Sequence, residues 1–240
     1  MADMFETLAV AHGPRGITTV TLNRPDRGNA LGQLLLRELQ SCVAAADVNP
    51  SVRVVVLRGA GRHFCTGADV AERGVHSEGR VELVDVLSAI DTLGKPVVAL
   101  VQGGCVGGGL ALAACCDAVL AMEDAFFSVP ELRLGLVPSG LLPFFVRALG
   151  TRALRRYGLS GERILAAEAV RLGIASQIGG EAELEALADA MLLAAPGAVR
   201  LFKRRLAGEM VADDPARQAE ISEGVASFKE RRKPAWYPGN

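Results

Sequence analysis

Residues 96–122, PVVALVQGGCVGGGLALAACCDAVLAM, decide the fold of this chain. The stretch is almost wholly apolar and long enough to cross a bilayer. Gln102, Asp117 and five glycines within 103–109 argue against a membrane span, because an acid inside a bilayer is costly. We therefore interpret the stretch as a buried strand, a glycine loop, a buried helix and a second strand over 118–122.

Upstream of this stretch, strand and helix patterns alternate. Runs rich in β-branched residues predict strands over 17–22, 52–57 and 96–101, and apolar residues at helical spacing predict helices over 30–46 and 78–93. Strands that alternate with helical crossovers are typical of an α/β fold.

Downstream of Pro130 the pattern becomes mostly helical. From about residue 190 onward no strand pattern remains. We expect an α/β core over residues 1–190 and a helical region over residues 191–240 that packs on a partner subunit. The helices are predicted over 141–150, 152–160, 162–173, 181–194, 198–208 and 215–232, with a short strand over 175–178.

The composition excludes several classes of protein. Of the 240 residues, 50% are hydrophobic, which excludes global disorder, and the net charge of −1 lacks the basic excess of a nucleic-acid-binding protein. The five cysteines form no C-x-x-C pair, which argues against structural zinc and favours a reducing compartment. Residues 1–6 lack the apolar segment of a secretory signal, so we expect a cytoplasmic protein.

Two glycine-containing loops, residues 64–70 and 103–110, each join a buried strand to a helix start. Open α/β sheets bind ligands at such strand ends, and two converging backbone N–H groups would form an oxyanion hole. The alternative is that the glycines only allow close packing of helix on strand. Neither loop has the Gly-Lys-Ser/Thr ending of a phosphate-binding loop or a G-x-G-x-x-G pattern, so no nicotinamide cofactor is expected.

With these loops in place, the sequence resembles the enoyl-CoA hydratase/isomerase (crotonase) superfamily over nearly its whole length. The resemblance implies a crotonase-like fold, with a repeated ββα core, a helical C-terminal extension, and assembly as a homotrimer or homohexamer. The matching segments, in order, are Asn23-Arg24-Pro25 with Asn29-Ala30-Leu31, Phe64 to Asp69, Gly103 to Gly109 with Cys116-Asp117, Pro130-Glu131-Leu132 with Gly135 and Pro138, and Glu223-Gly224 with Phe228 and Arg231-Arg232-Lys233-Pro234.

The resemblance also implies a thioester enzyme that stabilises an enolate. By motif position, the oxyanion donors would be the N–H groups of Ala68 and Gly108, and Glu131 would be the acid/base. The other glutamate of the family's hydratases falls on Ala111, which cannot transfer a proton. A single glutamate favours a shift of the double bond from 3-enoyl-CoA to 2-enoyl-CoA. The alternatives are a hydratase in which another group replaces Ala111, other enolate chemistry such as decarboxylation, or a weakly catalytic acyl-CoA-binding homologue.

Coenzyme A would be part of the substrate, and no other cofactor or metal is expected. The resemblance and the local charge assign substrate binding to Arg27, Ala68, Asp69, Val70, Ala71, Gly108, Phe228 and Arg231. Further candidates for catalysis are Ser139 and the polar residues His76, Glu78, Glu82 and Asp85. The simpler interpretation of Ser139 is a small side chain that fills space, and that of the other four is a solvated helix face. Cys65 is interpreted as a buried small residue rather than a nucleophile.

Overall fold

The computed structural model describes residues 5–72, 79–208 and 217–238. A six-stranded sheet carries the fold, in the order β1-β2-β3-β4-β6-β9. A second, three-stranded sheet has the order β5-β7-β8. The strands are β1 (Leu8–His12), β2 (Ile17–Leu22), β3 (Val54–Gly59), β4 (Val97–Val101), β5 (Gly104–Val106), β6 (Ala118–Ala121), β7 (Phe126–Ser128), β8 (Ile164–Leu165) and β9 (Gln177–Ile178).

Helices connect these strands and cover the sheet. Among the described residues the α-helices are α1 (Gln33–Val48), α2 (Leu83–Asp91), α3 (Gly108–Ala114), α4 (Leu142–Ser160), α5 (Ala166–Leu172), α6 (Glu181–Leu192), α7 (Pro196–Leu206) and α8 (Arg217–Glu230). Short 3₁₀ helices cover Pro25–Arg27, Val70–Glu72, Glu131–Leu134 and Ser139–Leu141. This arrangement confirms the expected α/β core followed by a helical C-terminal part.

The large sheet is parallel except at β1, which pairs antiparallel with β2. A buried row crosses its centre, because Val20 pairs with Leu57, Leu57 with Ala99, and Ala99 with Val119. Strands of a parallel sheet covered on both faces are continuously apolar, as β4 is here.

Side chains along β3 alternate between the two faces of the sheet. Val55 and Leu57 belong to the main core. Val54 and Val56 face the other way, where α6 supplies Leu184 and other apolar side chains. This alternation with a period of two is the geometry of a strand buried on both sides.

The stretch 96–122 folds as β4, β5, α3 and β6. Within the described part of the chain, no helix is both long and apolar enough to cross a bilayer. The predicted loop over 103–109 differs from the structure, because it contains β5 and the first residues of α3. β5 exists because it pairs with β7, a short strand that the sequence pattern did not predict.

Two predicted helices begin later than expected. The helix expected from residue 78 begins at Leu83, and the helix expected from residue 162 begins at Ala166 because Ile164 pairs with Phe127 of β7. The two helices predicted over 141–150 and 152–160 correspond to the two halves of α4, which is broken at Gly150 by a non-helical residue with φ 69°.

Candidate active site

The first glycine loop is held against the segment that precedes α1. Thr66 N–H donates to the carbonyl of Gly28 at 3.0 Å, and Leu31 N–H donates to the carbonyl of Gly67 at 2.8 Å. Asp69 N–H in turn donates to the carbonyl of Leu31 at 3.2 Å. These bonds use the N–H groups of Thr66 and Asp69 and the carbonyl of Gly67, and the N–H of Ala68 takes part in none of them.

The same loop is paired with the second glycine loop on its other side. Cys65 N–H donates to the carbonyl of Gly104 at 3.1 Å, and Val106 N–H donates to the carbonyl of Cys65 at 2.9 Å. Gly109 packs against Cys65 so closely that a Cβ on the glycine would collide with the Cys65 carbonyl. The two loops that the sequence singled out therefore form one rigid unit.

This pairing brings the two expected oxyanion donors together. A Cβ built on Gly108 would stand 3.6 Å from the backbone nitrogen of Ala68. Neither N–H donates to a backbone carbonyl among the hydrogen bonds of the described residues. The same Cβ would lie 3.0 Å from Leu83 and 3.3 Å from Leu31, so the missing side chain keeps this space open. Two free N–H groups at one cavity wall have the arrangement of an oxyanion hole.

Glu131 begins the 3₁₀ helix Glu131–Leu134 and directs its carboxylate to the second loop. Oε1 lies against Gly107, where a Cβ would collide with it. Oε2 is buried and has no hydrogen-bond partner. Burial raises the pKa of the Glu131 carboxyl above its usual value, because desolvation disfavours the charged form. Such a group is suited to accept and release a proton near neutral pH.

The donors and the carboxylate line a cavity of about 190 Å³. Among the described residues that line it, only Glu131 and Thr66 have polar side chains, and the Thr66 hydroxyl donates to the carbonyl of Gly28. Near Glu131 in sequence, Leu134 and Leu136 line the cavity, whereas Val129 and Leu132 do not. The lining consists of Thr66, Gly67, Ala68, Val70, Leu83, Val106, Gly107, Gly108, Pro130, Glu131, Leu134, Leu136, Val137, Pro138 and Leu141.

A second cleft, also about 190 Å³, adjoins the first and shares Ala68, Val70 and Leu83 with it. Asp69 lines this cleft, but its side chain is only 8% exposed and forms ion pairs with Arg24 at 2.9 Å and with Arg27 at 3.8 Å. The cleft therefore includes the residue of one donor, Ala68, whereas Arg27 is more exposed and does not line it.

Not every expected binding group is free. The N–H of Asp69 is bonded to Leu31, and that of Ala71 donates to Asp69 Oδ1 at 3.2 Å. Phe228 and Arg231 lie at the end of α8, exposed and outside the lining of both cavities. A single chain therefore does not bring these two residues to the site, and their role in binding stays a prediction.

Of the remaining candidates, the three that the structure describes do not line the cavity beside Glu131. Ser139 is exposed and does not line the cavity that contains Glu131. Glu82 and Asp85 are exposed, and Glu82 lies 3.4 Å from Arg80 in an ion pair. His76 and Glu78 lie outside the described residues.

Cys65 is fully buried, as expected of a small core residue, and desolvation raises the pKa of its thiol to about 12, which disfavours the nucleophilic thiolate. Ala111 is also fully buried, one helical turn beyond Gly107 in α3. In the described ranges, no cluster of three His, Cys, Asp or Glu residues could hold a metal ion.

The sequence did not identify Leu83, Val106 and Leu141 as lining residues, because segments far apart in the chain bring them together. Arg24 was also missed as a site residue. Its only signal was its place in the first matched segment, whereas the structure places it 2.9 Å from Asp69 and 2.6 Å from the carbonyl of Ala30.

The chain is similar to known proteins in both sequence and fold. The family model for enoyl-CoA hydratase/isomerase matches residues 12–209. A mevalonyl-coenzyme A hydratase from Aspergillus fumigatus is 31% identical, over 92% of each chain. The solved structure of an enoyl-CoA hydratase from Shewanella pealeana superposes with a TM-score of 0.87 at 30% identity, covering 98% of this chain and 97% of that one. An enoyl-CoA hydratase/isomerase structure from Marinobacter aquaeolei has a TM-score of 0.84 at 31% identity, covering 97% of this chain and 99% of that one.

Proposed function

The chain belongs to the enoyl-CoA hydratase/isomerase family, and from that premise we propose that it isomerises 3-enoyl-CoA to 2-enoyl-CoA with Glu131 as the single acid/base. The observation that carries this proposal is that, among the residues that the structure describes, Oε2 of Glu131 has no hydrogen-bond partner and no other ionisable side chain lines its cavity. Ala111 stands where a hydratase of this family has its first glutamate, so the pair of carboxylates that orients and deprotonates water is incomplete.

The proposed reaction moves one proton. The Glu131 carboxylate takes a proton from C2 of the 3-enoyl thioester, and the C–H electron pair delocalises as a dienolate with negative charge on the thioester oxygen. The N–H groups of Ala68 and Gly108 stabilise that oxygen. Protonated Glu131 then returns the proton to C4, so the double bond moves from C3–C4 to C2–C3 and the carboxylate is restored.

The lining of the cavity supports an aliphatic acyl group. Apolar side chains such as Val137 and Leu141 surround the carboxylate, and Thr66 already donates its hydroxyl proton to the protein. A hydroxyl or carboxylate on the acyl chain would be buried there without a partner, which costs about 1–3 kcal/mol or more. We therefore place polar acyl groups outside the preferred substrates.

A product assay distinguishes the candidate reactions. Purified protein is incubated separately with a 3-enoyl-CoA and with the 2-enoyl-CoA of equal chain length, and the products are separated by chromatography. Conversion of 3-enoyl-CoA to 2-enoyl-CoA that outpaces the appearance of 3-hydroxyacyl-CoA supports isomerisation. Faster hydration contradicts it and supports the hydratase alternative, which the names of several relatives favour. Binding of both thioesters without product would identify an acyl-CoA-binding protein.

Assembly as a homotrimer or a dimer of trimers is part of the proposal. The helical region over residues 191–240 exposes large apolar side chains, with Phe202 64% exposed, Leu206 71% and Phe228 85%. Such surfaces usually mark an interaction site. Sedimentation of the purified protein tests this. We expect the wild type to sediment as a trimer or hexamer and the Phe202→Glu variant to form a smaller assembly. A monomeric wild type would refute the proposal.

In such an assembly Phe228 and Arg231 would contact coenzyme A bound to a neighbouring subunit. We expect Arg231→Ala to raise KM for an acyl-CoA but not for the matching acyl-pantetheine, which lacks the 3′-phosphate. An equal change for both thioesters would contradict that contact.

A cytoplasmic location also belongs to the proposal, since all five cysteines are free thiols, as suits a reducing compartment.

A further inference from the structure

We infer that Arg24 is a positioning residue of the oxyanion hole, which it aligns and polarises through a chain of two hydrogen-bonded peptide groups. The inference rests on the proposed function, because it concerns the Ala68 donor. Arg24 does not line the cavity beside Glu131, and its side chain is only 15% exposed.

The chain of bonds begins at the guanidinium. Arg24 Nη1 donates to the carbonyl of Ala30 at 2.6 Å. The N–H of that same peptide group belongs to Leu31, and it donates to the carbonyl of Gly67 at 2.8 Å. The N–H of the Gly67 peptide group is the Ala68 donor. The described residues contain no cis peptide, so each N–H points away from the carbonyl of its own peptide group.

This geometry fixes the direction of the donor. The carbonyl of Gly67 points towards Leu31, so the Ala68 N–H points to the opposite side. Gly67 has φ 98°, a conformation that glycine adopts without strain, and a Cβ there would lie 2.9 Å from the carbonyl of Val106. The peptide group between Gly67 and Ala68 is therefore held on both sides.

Arg24 also holds the residue after the donor. Its Nη2 donates to Asp69 Oδ2 at 2.9 Å, while Asp69 Oδ1 accepts the N–H of Ala71 at 3.2 Å. One guanidinium thus joins the segment before α1 to the segment that carries Ala68. A planar guanidinium reaches two acceptors in fixed directions, which a lysine ammonium cannot reproduce.

The positive charge of Arg24, at one end of this series of hydrogen bonds, polarises the peptide groups in it. Hydrogen bonds in series polarise one another, and the effect is strongest in a buried setting of low dielectric. A cation that donates to the Ala30 carbonyl makes the Leu31 N–H a better donor. The bond from the Leu31 N–H to the Gly67 carbonyl in turn makes the Ala68 N–H a better donor. The Ala68 donor is thereby strengthened towards an oxyanion, although no cationic side chain in the described part of the chain lines the cavity.

The test compares Arg24→Gln and Arg24→Lys with the wild type, using Arg171→Gln as the control. Arg171 also forms a close ion pair, with Glu168 at 2.6 Å, but it lines neither site cavity. Isotope-edited infrared spectra of a bound saturated acyl-CoA, labelled at the thioester carbonyl, report how strongly the carbonyl is polarised without any turnover. The kcat and KM for 3-enoyl-CoA and the affinity for free coenzyme A are measured on the same proteins.

We expect Arg24→Gln to weaken the carbonyl red shift and to lower kcat about 10- to 100-fold, as small displacements in a reacting geometry do. KM and coenzyme A affinity should stay near wild type, and Arg24→Lys should fall between the two. Arg171→Gln should match the wild type in every readout. If Arg24→Gln does not fold, Arg24→Lys decides: a smaller red shift supports the inference and an unchanged one overturns it.

The inference and the proposed function fail in different ways. A wild-type spectrum without a carbonyl red shift refutes the oxyanion hole itself. A wild-type red shift that persists unchanged in the Arg24 variants, with kcat within twofold, refutes only the positioning role. Equal losses of stability and coenzyme A affinity with an unchanged red shift would make Arg24 a purely structural residue.

Discussion

The carboxylate of Glu131 lies against the α-carbon of Gly107, the residue that precedes the second oxyanion donor. Gly107 has φ 53° and ψ −118°, a conformation that side chains disfavour, and its N–H donates to the carbonyl of Ser128 at 2.9 Å. The acid/base and the donor loop are therefore in direct contact, and a change at one residue displaces the other.

A methyl group at residue 107 should disable the site. We expect Gly107→Ala to lose about 1–3 kcal/mol of unfolding free energy through backbone strain and to lose most activity, because the new Cβ displaces Glu131. Gly173→Ala is the matched control, since Gly173 also has a positive φ, 84°, but nothing within 4 Å of the added Cβ. Denaturant unfolding and steady-state rates of both variants check this. Equal loss of activity in both would contradict the contact.

The raised pKa of Glu131 makes stability depend on pH. Between the ordinary carboxyl pKa of 4.5 and the higher folded value, the folded state binds more protons than the unfolded state, so the unfolding free energy falls as pH rises. Glu131→Gln lacks this titration. We expect it to be more stable than the wild type at neutral pH, with the difference shrinking as the pH falls towards 4.5 and nearly absent below that value. Denaturant unfolding across this range measures it, and a variant less stable at neutral pH would contradict the unpartnered burial.

Residue 111 tests the assignment of the missing glutamate. Ala111 lies one helical turn from Gly107, which is adjacent to Glu131. We expect Ala111→Glu to gain hydration of 2-enoyl-CoA, whereas Ala111→Gln, of nearly equal volume, should not. Both substitutions fill a fully buried position and should cost about 1–3 kcal/mol of stability. A folded Ala111→Glu without hydratase activity would show that residue 111 does not occupy the position of the family's first glutamate.

The central sheet could be predicted from sequence because its strands are locally encoded. The runs over 17–22, 52–57 and 96–101 are apolar or β-branched, and each corresponds to a strand within about two residues. β5 and β7 could not be predicted, because each spans three residues and owes its existence to pairing with the other. β5 begins at Gly104, directly after Gly103, and this pair of glycines has the local pattern of a turn.

The site was predictable in part for the same reason. Ala68, Gly108 and Glu131 lie in short segments with recognisable patterns, and the structure brings all three to one cavity. The cavity wall from Leu83 and Leu141 depends on how distant segments pack. The bonds from Arg24 to Ala30 and Asp69 span 6 and 45 residues and follow only from the folded geometry.

The most direct test of the account is the isomerisation of 3-enoyl-CoA by Glu131→Gln, followed by the absorbance of the conjugated 2-enoyl thioester. Glutamine keeps the shape of the side chain but cannot transfer a proton. The account predicts that kcat falls about 10²–10⁴-fold while the affinity for acyl-CoA is retained, as removal of a general acid/base does. Isomerisation at near wild-type rate by the folded variant would contradict the single-carboxylate mechanism.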